Sequence, residues 1–248
     1  MSIDKMGMIN ERNSENGRPL DLTMARRILQ NAGRMVPQSA GDYNDAEIQS
    51  IIDALCDLSI HDGLTGLVNS TFFHAVLTRE INRNMRTGRT CGLVVIDIDY
   101  FKRVNDTYGH NTGDIVLQAV AQRMKNSLRG MDTAARIGGE EFAIILPECE
   151  PDNAIQAATR IHSVFNPFTI NINETILQLT ASAGLVWTNP NIQVSSAALV
   201  SMADQEMYRA KRSGRARLCY TRPDATAVSQ PERSALMDLR LEEDPDGR

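Results

Sequence analysis

Carboxylates at the end of an apolar segment are the first residues in this sequence whose types and spacing could do chemistry. The segment from Gly92 to Ile96 is apolar and runs directly into Asp97-Ile98-Asp99. Strand periodicity puts Asp97 and Asp99 on one face, where a carboxylate at the mouth of a buried strand is costly unless a cation or a donor neutralises it. An all-oxygen site of this kind suits a hard ion such as Mg²⁺, whereas a helix cap or a surface salt bridge is the alternative for an isolated D-x-D.

A second acidic cluster, Gly138-Gly139-Glu140-Glu141, falls at a predicted hairpin turn. Two glycines permit positive φ and let a substrate come close to the backbone, and the two glutamates leave the turn on opposite sides. Alone, this pattern is also typical of a solvated turn. Beside a strand-end aspartate, it supplies the carboxylates that a metal site for phosphoryl transfer requires.

The elements that must position these residues alternate between helix and strand. The spacing of apolar residues predicts helices over 70–85, 113–128, 151–165 and 196–212, and strands over 92–97, 135–137, 142–146, 168–172, 177–186 and 217–220. The strand over 92–97 is apolar on both faces, so we expect it to be central in the sheet. Helices interleaved with a mixed sheet indicate an α/β or α+β domain of about 165 residues.

Two further helices are predicted before this domain. The first has an apolar face formed by Leu20, Met24 and Ile28. The second begins at Asn44 or Asp45 and carries an apolar seam of Ile48, Ile51, Leu55 and Leu58. Such a seam can pair with its copy in a second chain as a short coiled coil, and packing onto the chain's own next domain is the alternative.

Composition excludes several classes of protein. The chain has 248 residues and a net charge of −5, with 26 basic and 31 acidic residues, which argues against nucleic-acid binding through a general basic surface. The longest apolar run is too short to span a membrane and the start lacks a signal peptide, so we expect a cytoplasmic protein without membrane insertion. Residues 1–60 are expected to form a helical input or dimerisation segment, 61–220 the main domain, and 221–248 a disordered acidic tail.

Four strings in this sequence resemble the GGDEF family of diguanylate cyclases, in the family's order and spacing. They are DGLTGLVN (62–69), DIDYFKRVNDTYGHNTGD (97–114), RGMDTAARIGGEEF (129–142) and ADQEMYRAKRSGR (203–215). The resemblance covers about two-thirds of the chain, and the signature takes the form GGEEF. It implies a palm-like nucleotidyl-cyclase fold with a mixed central sheet, and an enzyme that joins two GTP molecules into cyclic di-GMP with loss of pyrophosphate.

The resemblance also implies the metal ligands and the catalytic residues. Asp97, the backbone carbonyl of Ile98 and Glu140 would hold Mg²⁺ or Mn²⁺, two ions per active site. Glu140 would in addition help remove the proton of the 3′-hydroxyl. Lys102 would offset the charge that builds on the phosphates, although outside this motif it would be interpreted as a solvated lysine at a helix start.

Substrate recognition is carried over in the same way. Asn105 and Asp114 would recognise guanine, since an amide can meet its acceptors and a carboxylate can accept from N1 and N2; outside the motif they would be interpreted as a turn residue and a helix cap. His110 would have a supporting role. The walls of the base pocket would be Leu64, Phe101 and Leu117. The ligands of the terminal phosphates would be Lys211 and Arg215, for which helix-end cations are the alternative.

A separate inhibitory site is implied by Arg129-Gly130-Met131-Asp132, an R-x-x-D at the family's spacing before GGEEF. There Arg129 and Asp132, with Arg160 as a second arginine, would bind the product, because a guanidinium suits planar bidentate recognition. A local salt bridge is the alternative for such a pattern.

The leading hypothesis is an active, product-inhibited cyclase that works as a homodimer, because each domain binds one GTP. The alternative is an inactive domain that senses GTP or cyclic di-GMP through Arg129. A cyclase that also accepts ATP is disfavoured, since the family's promiscuous members have serine where Asp114 stands.

Overall fold

The computed structural model describes residues 21–35, 44–172 and 175–222. Its helices are α1 (Thr23–Asn31), α2 (Asp45–Ile60), α3 (Ser70–Thr87), α4 (Phe101–Tyr108), α5 (His110–Ser127), α6 (Pro151–Ser163) and α7 (Ser196–Arg212). Its strands are β1 (Val68–Asn69), β2 (Gly92–Ile98), β3 (Thr133–Arg136), β4 (Glu141–Leu146), β5 (Phe168–Ile172), β6 (Thr175–Leu179), β7 (Ala181–Trp187) and β8 (Leu218–Cys219). Of the tail predicted over 221–248, residues 223–248 lie outside the described residues.

The main sheet is mixed and has the strand order β1-β3-β4-β2-β7-β8. Strand β2 lies in its middle and pairs antiparallel with both β4 and β7, while the β1–β3 and β7–β8 pairs are parallel. All seven residues of β2 are buried, so the predicted central strand is confirmed. Strands β5 and β6 form a separate antiparallel pair.

The side chains of β2 alternate between two cores. Val94, Ile96 and Ile98 belong to the core that includes residues of α5 and α6. Leu93 and Val95 belong to the second core, with residues of α3 and α7. The same alternation directs the next odd-numbered residue of the strand, an aspartate, towards α7.

A glycine lets α7 approach the sheet closely. A Cβ on Gly184 of β7 would lie 2.1 Å from the carbonyl oxygen of Ala203 and 2.3 Å from the backbone nitrogen of Met207. Because both atoms belong to the backbone of α7, no side-chain movement could make room for a larger residue. This contact fixes how the C-terminal half of α7 lies over the sheet.

The largest differences from the predicted elements concern one strand and one helix boundary, and one helix was missed. The predicted strand over 177–186 is two strands, β6 and β7, which are separated at Thr180. The predicted helix over 113–128 begins at His110, and the preceding helix α4 was not predicted as a helix. Gly109, with a φ of +82°, interrupts the helical conformation between α4 and α5. The sequence pattern alone did not predict where that interruption falls.

The N-terminal helices pack against each other. Asn44, one of the two residues at which this helix was predicted to begin, caps α2 through a reciprocal capping box with Glu47. The face predicted for the first helix was wrong, since Met24 and Ile28 are 67% and 48% exposed, and Leu20 lies outside the described residues. Leu29 is the buried residue of α1. Because α1 is in contact with α2, the choice of its buried residue depends on that neighbouring helix and could not be deduced from α1 alone.

The apolar seam of α2 is therefore partly covered by the same chain. Ile51 is 1% exposed, α1 and α2 are in contact, and Arg34, just beyond α1, forms an ion pair with Asp57 near the end of α2. The other three seam residues, Ile48, Leu55 and Leu58, are only partly buried.

In the part of the chain that the structure describes, no helix combines the length and the apolar character needed to cross a membrane.

Candidate active site

An acidic cluster lies where β2 and β4 meet the GGEEF turn. Asp97 of β2 is opposite Glu141 of β4 in the strand register, and Glu140 immediately precedes β4. Asp97 is only 4% exposed, and the Lys211 ammonium of α7 lies 2.7 Å from its Oδ2. The structure thus brings together Asp97, Glu140 and Lys211, which the sequence predicted to belong to one site.

Burial and neighbouring negative charge raise the pKa of two carboxylates in this cluster. Burial raises the pKa of Asp97, Lys211 opposes that effect, and Glu141 adds to it. Burial also raises the pKa of Glu140, as does the charge of Asp97, while Lys211 lowers it. A single ammonium therefore faces an excess of negative charge, which a further cation would relieve.

The donor set fits a hard divalent cation. Among the described residues, no three His, Cys, Asp or Glu side chains are grouped as a complete metal site. The predicted ligand set does not require such a group, because it combines two carboxylates, of Asp97 and Glu140, with the backbone carbonyl of Ile98. Oxygen ligands of this kind, completed by substrate phosphates and water, are those that Mg²⁺ prefers.

The GGEEF turn is held by residues of the DGLT motif. The Arg136 guanidinium donates to the Gly139 carbonyl at 2.7 Å and to Asp62 Oδ1 at 3.3 Å. Asp62 Oδ1 also accepts from the backbone and the hydroxyl of Thr65, at 2.8 and 2.6 Å. Burial alone would raise the pKa of Asp62, but the hydrogen bonds from Thr65 and the charge of Arg136 outweigh it and lower that pKa. Arg136 is a positioning residue that the sequence analysis did not identify.

The two glycines of the turn have different surroundings. A Cβ on Gly138 would lie 2.4 Å from Glu141 Oε2, so the Glu141 side chain folds back over this glycine. A Cβ on Gly139 would meet no heavy atom within 4 Å. Gly139 therefore leaves open space beside the backbone, which agrees with the prediction that a substrate can approach the turn.

Asp99 has a structural role rather than the role predicted from the D-x-D spacing. It is 2% exposed, and its carboxylate accepts from Thr180 Oγ1 at 2.7 Å, Ser182 Oγ at 2.7 Å and the Ala216 backbone N–H at 3.0 Å. Donors of the chain therefore compensate the buried charge of Asp99, and of the two aspartates only Asp97 is left as a predicted cation ligand. These bonds connect β2 to β7 and to the loop after α7.

The predicted guanine-binding residues lie around the junction of α4 and α5. Asn105 packs over Gly113, since a Cβ there would lie 1.9 Å from Asn105 Oδ1 and 3.1 Å from the Phe101 ring. Asp114 follows Gly113 and is exposed, as is His110 at the start of α5. The structure thus places Asn105 beside the turn of α5 that carries Asp114.

The predicted base-pocket walls and phosphate ligands differ in exposure. Phe101 and Leu117 are 5% and 3% exposed, so they belong mainly to the core and could offer a base only an edge, whereas Leu64 is partly exposed. Lys102 is exposed in the first turn of α4. The Arg215 guanidinium lies over the Tyr100 ring, with Cζ 4.6 Å from the ring centroid.

The predicted inhibitory-site residues meet at the C-terminal end of α5. Asp132 Oδ2 accepts from the Arg129 backbone N–H at 2.9 Å, so it closes the local turn through the backbone. Arg160 of α6 donates to the Ser127 carbonyl at 2.5 Å, which brings it to the same end of α5. Arg129 is exposed beside them, and a role for these residues in binding product stays a prediction.

A mixed sheet flanked by helices, with buried carboxylates beside a glycine turn, defines the class of this domain. The family model described as "Diguanylate cyclase, GGDEF domain" matches residues 59–217. The chain belongs to the GGDEF family, and the resemblance carried by the four sequence motifs is confirmed.

Relatives and solved structures agree with this assignment. The chain is 40% identical over 162 residues to YhcK of Bacillus subtilis, named as uncharacterized, and 36% identical over 160 residues to the probable diguanylate cyclase DgcC of Escherichia coli. These matches cover 64% of this chain but only 45% and 43% of the two relatives, so the chain spans less than half of their length.

Similar solved structures confirm the fold. One contains the coiled coil and GGDEF domain of DgcB from Caulobacter crescentus in complex with c-di-GMP; the TM-score is 0.66 at 28% identity, covering 81% of this chain and all of that chain (100%). Another contains the diguanylate cyclase SiaD of Pseudomonas aeruginosa in complex with its activator SiaC; the TM-score is 0.64 at 32% identity, covering 81% of this chain and 72% of that chain.

Proposed function

We propose that this domain condenses two GTP molecules into cyclic di-GMP and releases two pyrophosphates. The observation that carries the proposal is the cluster of Asp97, Glu140 and Lys211 beside the GGEEF turn, in a chain that belongs to the GGDEF family. In each half of the reaction, a 3′-oxygen forms a bond to the α-phosphorus of the other GTP. The bond from that phosphorus to the pyrophosphate breaks, and the 3′-hydroxyl loses its proton.

Two Mg²⁺ or Mn²⁺ ions per active site would be held by Asp97, the Ile98 carbonyl and Glu140. When bound, such ions stabilise the charge on phosphate oxygens and lower the pKa of a nearby hydroxyl. Glu140 would help remove the proton of the 3′-hydroxyl, and because a hydroxyl bound at a divalent ion loses its proton more easily, this carboxylate need not be a strong base. Lys102 supplies positive charge from the first turn of α4.

Recognition of the nucleotide would use the two ends of GTP. Asn105 and Asp114 receive the guanine, because a carboxylate can accept from the N1 and N2 donors that adenine lacks. Lys211 and Arg215 bind the terminal phosphates. The packing of Asn105 over Gly113 supports this assignment, since it fixes the amide beside the turn that carries Asp114.

The proposal includes a homodimer and feedback by the product. Each domain holds one GTP, so two symmetric bonds require two domains face to face. The partly covered seam of α2 is the candidate contact for that dimer.

Arg129, Asp132 and Arg160 would bind cyclic di-GMP, which is supported by the hydrogen bond of Arg160 to the Ser127 carbonyl, two residues before Arg129.

The test is incubation of the purified chain with GTP and Mg²⁺, with cyclic di-GMP and pyrophosphate measured together. Glu140→Gln should lower turnover by at least about a hundredfold, as loss of a general base does, while the protein stays folded. Glu150→Gln is the matched control, since Glu150 is an exposed carboxylate just before α6. Wild-type turnover in Glu140→Gln would refute the assignment.

Two further measurements separate the remaining parts of the proposal. Arg129→Ala should weaken inhibition by added cyclic di-GMP and leave the initial rate unchanged. A chain that binds cyclic di-GMP but makes none would be the receptor instead of the enzyme. Activity per protomer should fall on dilution; full activity of a sedimenting monomer would rule out the dimer requirement.

A further inference from the structure

We propose that Tyr100 is a positioning residue, whose ring holds the Arg215 guanidinium ready for the terminal phosphates of GTP. This inference rests on the proposed function and deepens it, because Arg215 acts on a substrate only if the domain binds GTP. Tyr100 lies between the buried Asp99 and the first residue of α4, and the motifs of the sequence assign it no role.

The contact between the two side chains is a cation–π interaction at the edge of the site. Arg215 Cζ lies 4.6 Å from the centroid of the Tyr100 ring, and Arg103 Cζ lies 5.7 Å from the same centroid. Both distances fall within the range over which the face of an aromatic ring attracts a guanidinium. Tyr100 is 55% exposed, so its ring contributes little to the core and is available for this contact.

The backbone of Tyr100 is also unusual. It precedes α4 in the left-handed conformation, with φ 59° and ψ 26°, and its side chain forms no capping hydrogen bond. A bulky residue rarely adopts this conformation, and such strain persists where the surrounding structure determines it. The turn ends β2 and sends the chain into α4, and it leaves the ring under Arg215.

Asp99 supports the backbone of the same loop. Its carboxylate accepts from the N–H of Ala216, the residue after Arg215, at 3.0 Å. The Arg215 N–H donates to the Ala210 carbonyl at 3.0 Å, and the Arg217 side chain donates to the Arg215 carbonyl at 3.0 Å. The backbone of Arg215 is thus fixed by hydrogen bonds, and the Tyr100 ring supports the end of its side chain.

The hydrogen bonds to the Arg215 backbone and the Tyr100 ring beside its guanidinium should together strengthen the binding of GTP. A free arginine side chain has many rotamers, and binding an anion requires it to lose that freedom. A guanidinium already held over a ring loses less when phosphate arrives, so binding is stronger without any new contact to the ligand. Tyr100 should therefore affect the KM for GTP through Arg215, with little effect on kcat.

The experiment uses the full chain and two substitutions at one position. Tyr100→Phe keeps the ring, whereas Tyr100→Asn removes it but tolerates the left-handed backbone. Tyr208→Asn is the matched control, because Tyr208 also lies under an arginine, with Arg212 Cζ 6.0 Å from its ring, and is 61% exposed on α7.

Tyr100→Asn should raise the KM for GTP by about twofold to fivefold, as expected for loss of one cation–π contact at an exposed site, with kcat nearly unchanged. Tyr100→Phe and Tyr208→Asn should keep the wild-type KM. In an Arg215→Ala background, Tyr100→Asn should have no further effect, because the two residues act as a unit.

The possible failures are distinguishable. A wild-type KM in Tyr100→Asn, or an equal effect with and without Arg215, would overturn the role of Tyr100 while the cyclase assignment stands. A wild-type chain that makes no cyclic di-GMP from GTP would overturn the proposed function and this inference together. A KM effect shared by Tyr100→Phe would assign the role to the hydroxyl and also contradict the proposal.

Discussion

Substitution of Asp99 should destabilise the domain in two distinct steps. In Asp99→Asn, the amide oxygen can take the place of Oδ2 and accept from Thr180 and Ala216, while the amide NH₂ donates to the Ser182 hydroxyl. The number of hydrogen bonds is then kept and only the charge is lost. Hydrogen bonds to charged groups contribute about 1 kcal/mol more than neutral ones, and the variant no longer buries a charge, so we expect a net loss of about 1–2 kcal/mol.

Removal of the whole Asp99 carboxylate should lower the free energy of unfolding further. In Asp99→Ala the hydroxyls of Thr180 and Ser182 can rotate towards other partners, and the N–H of Ala216, an exposed residue, loses its acceptor on the protein. A cavity and the loss of hydrogen bonds to a charged group, partly offset because no charge is buried any longer, should lower the free energy of unfolding by about 2–4 kcal/mol. The loop that carries Arg215 should loosen at the same time and raise the KM for GTP.

Urea unfolding of the purified chain measures both effects through the midpoint at constant slope. Asp53→Asn is the control, since Asp53 is an exposed residue of α2 that accepts from Gln49 at 2.8 Å and should contribute less than about 0.5 kcal/mol. Asp99→Asn and Asp99→Ala midpoints both indistinguishable from the wild type would refute the reasoning. A larger effect in the asparagine variant than in the alanine variant would do so as well.

Three further predictions follow from single contacts. Gly184→Ala should lower the free energy of unfolding by more than about 2 kcal/mol, because the backbone of α7 cannot move aside; an unchanged urea midpoint would contradict the close approach. Gly113→Ala should spare folding but raise the KM for GTP about tenfold by displacing the Asn105 amide, and a wild-type KM would exclude that amide from base recognition. The folded-state pKa of Asp62 is lowered, so its stabilising effect exists above its unfolded-state pKa and is lost as the pH falls through the folded value. Asp62→Asn should therefore be less stable than the wild type near neutral pH and converge with it below about pH 4; a difference that persists in acid would exclude the Asp62–Arg136 pair as its source.

The central strand and the glycine turn could be predicted because local patterns determine them. An apolar run ending in aspartate describes β2, and two glycines between short apolar segments describe the hairpin of β3 and β4. The role of Asp99 could not be predicted in this way, since its donors lie 81, 83 and 117 residues further along the chain. Nothing near Asp99 in the sequence indicates that β7 and the loop after α7 will meet it.

The predictions for α4 and for the buried face of α1 were wrong for a related reason. Residues 101–108 are mostly polar, and only Phe101 and Val104 are buried in α4, so the apolar pattern is too short to identify a helix. The inward face of α1 depends on its contact with α2, and the buried residue is Leu29 and neither Met24 nor Ile28. Periodicity identifies which residues can be buried, whereas the partner element decides which of them are.

The matching motifs contain residues that form the site and residues that hold it. Asp97 and Glu140 carry the charge of the acidic cluster, but Asp62 holds the arginine that fixes Gly139, and Asp99 holds the loop of Arg215. Both kinds are carboxylates, and a motif does not distinguish them. Hydrogen bonding does, because Asp62 and Asp99 are satisfied by donors of the chain, whereas Asp97 and Glu140 face each other with Lys211 and an excess of negative charge. A cation or substrate is therefore expected beside Asp97 and Glu140. Substitution of Asp62 or Asp99 should lower the free energy of unfolding more clearly than it changes the rate of the reaction.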